Sequence, residues 1–349
     1  MDQISSRSKV VLERDGNVLV IVINNPPINA GSIDVRQGIL RAIDTLREDK
    51  ALVAAVIVGG GRTFIAGSDL REFGAPLEDP QLPVVIQAIE SCGKPVVAAI
   101  HGAALGGGFE LALGCDARIA SAGSIVGLPE VTLGMLPGAG GTQRLPRLVG
   151  RIEALRQVCT GERVKASHAK QLGMVDAVVP ESDLRAGAIQ LAMDMVAKRV
   201  LGELPIPSDS DEDFERVAAE CLKKGKGRPN VAAAIEAVRS TRSLGIGEGL
   251  RRERAAFQTF RVGPDARALR HLFFAERQAA KLPELDHVEA NAVQTIAVIG
   301  AGTMGSGIAI AAKAINPNIK ITGVVASGAK GMKDSFESRM PIDSVTVRT

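Results

Sequence analysis

Two glutamates, Glu110 and Glu130, stand beside glycine-rich stretches in the first half of this 349-residue sequence. Glu110 follows three glycines at 106–108, and Glu130 lies upstream of the run Gly-Ala-Gly-Gly at 138–141. A carboxylate pair can divide acid and base work when its surroundings keep one member protonated. Each glutamate also has a plain structural explanation, because acids are favoured in the first turn of a helix. The spacing alone leaves both interpretations open.

The glycines before Glu110 suggest a site for a developing negative charge. Residues 95–100 form an apolar run that predicts a buried strand, and 109–115 predict a short helix directly after the glycines. Glycine lets backbone approach a ligand closely, and the first amides of a helix have no partner within it. Such a corner can hold a carbonyl oxygen that becomes negative during a reaction. The turn at Gly67-Ser68, after a second predicted strand at 51–58, is a candidate for a second donor.

Strands alternating with helices position these stretches and predict an α/β fold. Residues 9–24 predict a hairpin around an Asp-Gly-Asn turn, and Ser32 is expected to cap an amphipathic helix. Helical periodicity dominates 181–282, with breaks expected at 225–229, 245–249 and 263–264. This region is expected to be a helical appendix on the α/β core.

Composition excludes several classes of function. The chain is 46% hydrophobic and 23% charged, with 42 basic against 39 acidic residues, which is typical of a soluble globular protein without a strong field for nucleic acid or membrane. No apolar run reaches the ~20 residues of a membrane span, and the N-terminal residues lack a signal-peptide segment. The four cysteines and four histidines are dispersed, so neither a disulfide scaffold nor a metal site is expected. These features favour a cytoplasmic protein.

Five segments resemble the enoyl-CoA hydratase/isomerase (crotonase) superfamily. They are NPPINA (25–30), FIAGSDLREF (64–73), HGAALGGGFELALGCD (101–116), GLPEVTLGMLPGAGGTQRLPRLVG (127–150) and AKQLGMVDAVVP (169–180). The resemblance implies a core of ββα units stacked in a spiral. Residues 230–285 are similar to the segment that joins the hydratase half to the dehydrogenase half in multifunctional fatty-acid oxidation enzymes. Residues 296–309 resemble the opening of the 3-hydroxyacyl-CoA dehydrogenase half.

The combined interpretation is a crotonase core at 1–185, a helical extension or linker at 186–290, and a truncated Rossmann-like βα fragment at 291–349. Within the fragment, Gly300, Gly302 and Gly305 follow a predicted strand at 295–300 with the spacing of a dinucleotide fingerprint. The next strand candidate, at 319–325, is followed by Ala326-Ser327-Gly328, so no Asp or Glu stands there to bind a ribose, and the sequence after Gly305 is short. NAD chemistry is therefore not expected.

The tail at 311–349 resembles an internal segment of a pyridoxal-phosphate threonine dehydratase rather than a dehydrogenase. Pyridoxal chemistry needs a lysine in a domain of its own, so we expect no such function. The expectation is a poorly packed tail, with a folded βαβ fragment as the alternative.

The resemblance also implies the roles of individual residues. The backbone amides of Ser68 and Gly107 form the oxyanion hole, and Glu110 and Glu130 are the catalytic glutamates. Contacts with CoA, chiefly through backbone, are implied for Gly107 and for a second group of residues: Ile28, Ala66, Ser68, Asp69 and Leu70. The implied reaction is hydration of trans-2-enoyl-CoA in fatty-acid β-oxidation, with an acyl-CoA substrate and no required cofactor. The alternatives are a Δ3–Δ2-enoyl-CoA isomerase and an acyl-CoA-binding scaffold without turnover. Both a monomer and a homo-oligomer are compatible with the sequence.

Overall fold

The computed structural model describes residues 8–279, 293–300 and 303–324. The chain divides into two compact units, the first ending at Gln278 and the second beginning at Ala279. Among the described residues, no helix combines the length and the apolar character needed to cross a membrane.

A six-stranded sheet forms the framework of the first unit. Its strands run in the spatial order β1-β2-β3-β4-β6-β9, with β1 and β2 antiparallel and every other pair parallel. A second sheet of three short strands has the order β5-β7-β8. The strands are β1 (Val10–Asp15), β2 (Val18–Ile23), β3 (Ala54–Gly59), β4 (Val96–Ile100), β5 (Ala103–Leu105), β6 (Ala117–Ser121), β7 (Ile125–Gly127), β8 (Val164–Lys165) and β9 (Ala177–Val179).

Helices enclose both faces of the large sheet. The core strands are apolar on both sides, as expected for parallel strands covered on two faces. The helices are α1 (Ile33–Glu48), α2 (Leu82–Ser91), α3 (Gly107–Leu113), α4 (Gly141–Val149), α5 (Arg151–Thr160), α6 (Ala166–Leu172), α7 (Leu184–Asp194), α8 (Asp211–Lys224), α9 (Pro229–Arg239), α10 (Ile246–Arg261) and α11 (Pro264–Ala279). The predicted hairpin and the predicted α/β class are both confirmed.

Two local predictions were wrong. Ser32 precedes α1, but its side chain makes no capping hydrogen bond, and the Ile33 amide donates instead to Glu72 Oε1 at 3.0 Å. The expected break at 245–249 is a helix start, because α10 begins at Ile246. Gly249 lies inside that helix, where a Cβ would be 2.1 Å from Gln143 Oε1. That glycine therefore permits a close approach of two helices rather than ending one.

Buried polar contacts join the helices after residue 200 to the loops of the core. The Asn230 side chain donates to the carbonyl oxygens of Val131 and Met135 at 3.1 and 2.9 Å. Arg261 Nη1 donates to the carbonyl oxygens of Phe73 and Ala75 at 3.0 and 2.8 Å. The helical extension therefore supports the segments between core elements as well as adding apolar packing.

The second unit contains a βαβ arrangement in its described part. Strand β10 (Thr295–Ile299) pairs in parallel with β11 (Lys320–Val324), and α12 (Thr303–Ile315) lies between them in the chain. The resemblance of 311–349 to a threonine dehydratase stays a prediction, and residues 325–349 fall outside the described part of the chain.

Candidate active site

The two glycine corners meet because β3 and β4 are neighbouring parallel strands. The segments that leave them are joined by a bridge between Ile65 and Ala104, and the Phe64 amide donates to the His101 carbonyl at 2.9 Å. This pairing carries Ser68 alongside the start of α3. The predicted helix 109–115 begins two residues earlier, at Gly107, so the amide of Gly107 belongs to the first turn and has no acceptor within its helix.

Gly106 and Gly107 are required by the geometry of this corner. Gly106 has φ +52°, a conformation that residues with a Cβ rarely adopt. At Gly107 a Cβ would lie 2.3 Å from Ser68 Oγ and 3.0 Å from Leu82 Cδ2. The amides of Ser68 and Gly107 make no hydrogen bond to another protein group in the part of the chain that the structure describes. Two amides on adjacent segments are thus left without a protein acceptor among the described residues.

One cavity of about 790 Å³ brings all the predicted site residues together. The residues singled out from the sequence that line it are Ile28, Ala66, Ser68, Asp69, Leu70, Gly107, Glu110 and Glu130. The Ala66 amide donates to the Ile28 carbonyl at 3.1 Å, which fixes those two segments against each other. The carboxylate of Asp69 accepts hydrogen bonds from Arg71, which hold its pKa below the ordinary value.

Glu110 is held by two backbone amides. It lies on α3 with 4% of its surface exposed, and its Oε1 accepts from the amides of Ala139 and Gly141 at 2.7 and 2.9 Å. Burial raises the pKa of Glu110, while the two amides and the positive charges of Arg144 and Arg254 act in the opposite direction. The amides fix the orientation of the carboxylate and favour its ionised form.

Glu130 has a different environment. It lies in a 3-10 turn (Pro129–Leu133) with 8% of its surface exposed, and its Oε2 is buried without a hydrogen-bond partner among the described residues. Burial, followed by the negative charge of Glu110, raises the pKa of Glu130 well above its ordinary value. A Cβ on Gly106 would be 2.9 Å from Glu130 Oε1, so the glycine corner and this carboxylate are adjacent. The geometry gives one buried carboxyl bound by amides and a second with a free oxygen.

A third buried glutamate, Glu253 on α10, is 1% exposed and was not predicted from the sequence. Its Oε1 accepts from the Gly140 amide at 2.6 Å and its Oε2 from the Thr142 amide at 2.8 Å. Its place four residues before buried Phe257 puts it on the inward face of the helix, and that spacing was a usable signal. The same helix also supplies Arg254 and Phe257 to the cavity wall.

No group of three or more His, Cys, Asp or Glu side chains suited to a metal occurs in residues 8–279, 293–300 and 303–324. The βα corner of the second unit has part of a dinucleotide fingerprint: Gly300 has φ +101°, and a Cβ on Gly305 would lie 1.9 Å from the Gly300 carbonyl oxygen. Gly302 lies outside the described residues. The residues directly after β11, at 325–328, are Val-Ala-Ser-Gly and include no carboxylate for a ribose, so they do not fit NAD and we derive no step through it.

The sheet, the paired glycine corners and the buried carboxylates define a crotonase-type α/β protein. The family model described as enoyl-CoA hydratase/isomerase matches residues 13–203, and the chain belongs to this family.

Three relatives illustrate the match. The chain is 43% identical over 305 residues to a peroxisomal bifunctional enzyme of Danio rerio, covering 84% of this chain and 42% of that protein. It is 35% identical to the fatty acid oxidation complex subunit alpha of Shewanella amazonensis, covering 85% and 45%. The chain thus spans less than half the length of these relatives. A solved enoyl-CoA hydratase structure from Geobacillus kaustophilus is 31% identical with a TM-score of 0.51, covering 78% of this chain and 97% of the other.

Proposed function

We propose that this chain hydrates trans-2-enoyl-CoA to 3-hydroxyacyl-CoA. The observation that carries the proposal is a single cavity in which the free amides of Ser68 and Gly107 accompany the buried carboxyls of Glu110 and Glu130. The names of the relatives, a bifunctional enzyme and a fatty acid oxidation subunit, support the same substrate class.

The thioester oxygen binds between the amides of Ser68 and Gly107. Polarisation of this carbonyl makes Cβ of the conjugated double bond electrophilic, and the two amides stabilise the enolate-like transition state more than the ground state. The backbone of Ile28, Ala66, Asp69 and Leu70 holds the CoA portion at the cavity wall. Because these contacts are mainly to backbone, they depend on loop shape rather than on side-chain chemistry.

The two carboxyls divide the proton transfers. Glu110, which two amides favour in its ionised form, takes a proton from a water molecule whose oxygen bonds to Cβ. The electron pair of the double bond moves to Cα, and protonated Glu130 delivers its proton there. The raised pKa of Glu130 and its free Oε2 support this assignment, because a proton donor must be protonated near neutral pH and must reach the substrate. Return of one proton from Glu110 to Glu130 completes the cycle.

This reaction needs no cofactor, and NAD has no part in the proposal. The assembly stays a prediction, either monomer or homo-oligomer. A cytoplasmic location also stays a prediction. The name of the Shewanella relative gives no compartment, and the zebrafish relative is named peroxisomal, which does not support the cytoplasm.

A second candidate activity is Δ3–Δ2 isomerisation of enoyl-CoA. It is favoured by the free oxygen of Glu130, since moving a double bond needs one group that removes a proton at Cα and returns it at Cγ. The same oxyanion hole stabilises the intermediate enolate in both reactions.

One spectroscopic assay separates the candidates. Crotonyl-CoA loses its enoyl-thioester absorbance on hydration, whereas a 3-enoyl-CoA gains that absorbance on isomerisation. We expect loss of absorbance with crotonyl-CoA, and a series from C4 to C16 enoyl-CoAs measures the chain-length preference. Tight CoA binding without either change in absorbance identifies a scaffold and overturns the proposal.

A further inference from the structure

Two buried carboxylates bind alternate amides of one four-residue segment, residues 139–142. Glu110 accepts from Ala139 and Gly141, and Glu253 accepts from Gly140 and Thr142. The Thr142 hydroxyl also donates to Glu253. The segment therefore presents successive N–H groups to opposite sides, with one glutamate on each side.

Among the described residues, the four amides of the segment have no acceptor other than the two glutamates. The segment contains Gly140, with φ +107°, and lies at the start of α4, where the first amides lack partners within the helix. The Glu253 carboxylate satisfies two of these amides and a hydroxyl. Without it, three donors in a fully buried place lose their acceptor, and a buried donor without an acceptor is unfavourable.

We propose that Glu253 is a positioning residue of this site: it holds segment 139–142 in the conformation that aims the Ala139 and Gly141 amides at Glu110. The inference rests on the proposed hydration. Glu253 accepts these bonds 113 positions from Gly140 in the chain, so the helical extension takes part in building the catalytic centre of the core.

The charges around Glu253 provide a readout that a purely structural anchor does not give. The negative charge of Glu110, on α3, raises the pKa of Glu253. The negative charge of Glu253 in turn raises the pKa of Glu130 in the 3-10 turn. Arg254 lies on the same helix as Glu253 and Arg144 lies on α4, where both offset the charge of Glu110. Burial raises the pKa of Glu253 to about 8, so its negative charge disfavours ionisation of Glu130 above that pH. Glu253→Gln removes this charge and makes Glu130 easier to ionise there, which moves the basic limb of the kcat profile to lower pH.

The test compares Glu253→Gln with Asp116→Asn in the full chain, using crotonyl-CoA. Asp116 serves as the control, because it is a buried carboxylate that accepts from the amides of Val96 and Arg199 and does not contact segment 139–142. It also pairs with Lys198 Nζ at 2.7 Å, so its activity is likewise compared per folded molecule. Per folded molecule, we expect Glu253→Gln to lower kcat by about 100-fold, the scale of a small misplacement of a catalytic group, with little change in KM. The basic limb of the pH profile of kcat moves to lower pH in Glu253→Gln. In Asp116→Asn, kcat and its pH profile are expected to equal those of the wild type.

If Glu253→Gln does not fold, Thr142→Val carries the test. This change removes the hydroxyl that donates to Glu253; Gln143 Nε2, which donates to that hydroxyl, keeps the Ala237 carbonyl as an acceptor. A loss of kcat of about threefold to tenfold is expected. Wild-type kcat and an unshifted profile in the folded variants overturn the inference while leaving the hydration proposal intact. Absence of hydration by the wild-type chain overturns the proposed function itself, so the two failures are distinguishable.

Discussion

Gly107 lies against Ser68 so closely that a Cβ on Gly107 would be 2.3 Å from Ser68 Oγ. The spacing of the two amides that form the candidate oxyanion hole therefore depends on the missing side chain. We expect Gly107→Ala to displace Ser68 and lower kcat for crotonyl-CoA by about 100-fold or more, since loss of one oxyanion donor costs about 100- to 1000-fold. Steady-state hydration kinetics measure the effect.

Gly123→Ala is the matched control for this change. Gly123 is exposed, and a Cβ there would meet no atom within 4 Å. The kcat of Gly123→Ala is expected to equal that of the wild type. Equal kcat values for Gly107→Ala and Gly123→Ala are incompatible with an oxyanion hole at this corner.

Glu130→Gln is expected to nearly abolish hydration without destabilising the fold. The amide keeps the shape of the side chain but cannot deliver a proton to Cα. Glu130 Oε2 has no protein partner among the described residues, and burial disfavours the charged form of the carboxyl. The substitution therefore breaks no hydrogen bond of Oε2 and replaces a carboxyl whose charged form is unfavourable in the fold. Crotonyl-CoA turnover and urea denaturation at neutral pH measure the two effects.

Asp209→Asn gives the opposite pattern. Asp209 pairs with the buried guanidinium of Arg151 and lies outside the candidate active site, so its neutralisation is expected to lower the free energy of unfolding and leave kcat unchanged. If Glu130→Gln turns over crotonyl-CoA at the wild-type rate, the role assigned to Glu130 is refuted.

The sequence carries the information for Glu110, Glu130 and the two glycine corners because these are local patterns. Each corner is a strand followed by glycines, and parallel neighbouring strands bring such corners to one edge of a sheet. The start of α3 was less predictable. Three glycines at 106–108 have low helix propensity, yet α3 begins at Gly107, where a Cβ would collide with Ser68 and Leu82.

Glu253 could not be placed from local pattern alone. It lies in a highly charged helix, where most acids are solvated, and its acceptor role exists only when α10 packs against segment 139–142. The spacing to Phe257 marks an inward face but gives no partner. The pairing with residues 113 positions away is a property of tertiary packing, which a single sequence does not supply.

The stability of the protein is expected to fall as pH rises from about 5 to about 8. Burial raises the pKa of Glu253 to about 8 from an ordinary 4.5. Between these values the unfolded chain has released the proton and the folded chain has kept it, so the unfolded state binds fewer protons and stability decreases with pH. One proton corresponds to about 1.4 kcal/mol per pH unit, which is the upper limit for this group.

Urea denaturation across that pH range measures the slope. Glu253→Gln is expected to reduce it without removing it, because burial also raises the pKa values of Glu110 and Glu130. Identical slopes in wild type and variant contradict the assignment of this carboxyl to the titration.

Asn230→Ala is expected to destabilise the fold by about 1–3 kcal/mol, because two buried carbonyl oxygens, of Val131 and Met135, lose their donor. Both carbonyls adjoin the turn that carries Glu130, so the substitution is also expected to lower kcat through the position of that residue. Chemical denaturation and hydration kinetics measure the two effects.

Gln190→Ala is the control for Asn230→Ala. The Gln190 amide donates to Asp194 on an exposed face of α7, and its loss is expected to change the free energy of unfolding by less than about 0.5 kcal/mol. Equal stabilities for the two variants mean that Asn230 does not join the helical extension to the site.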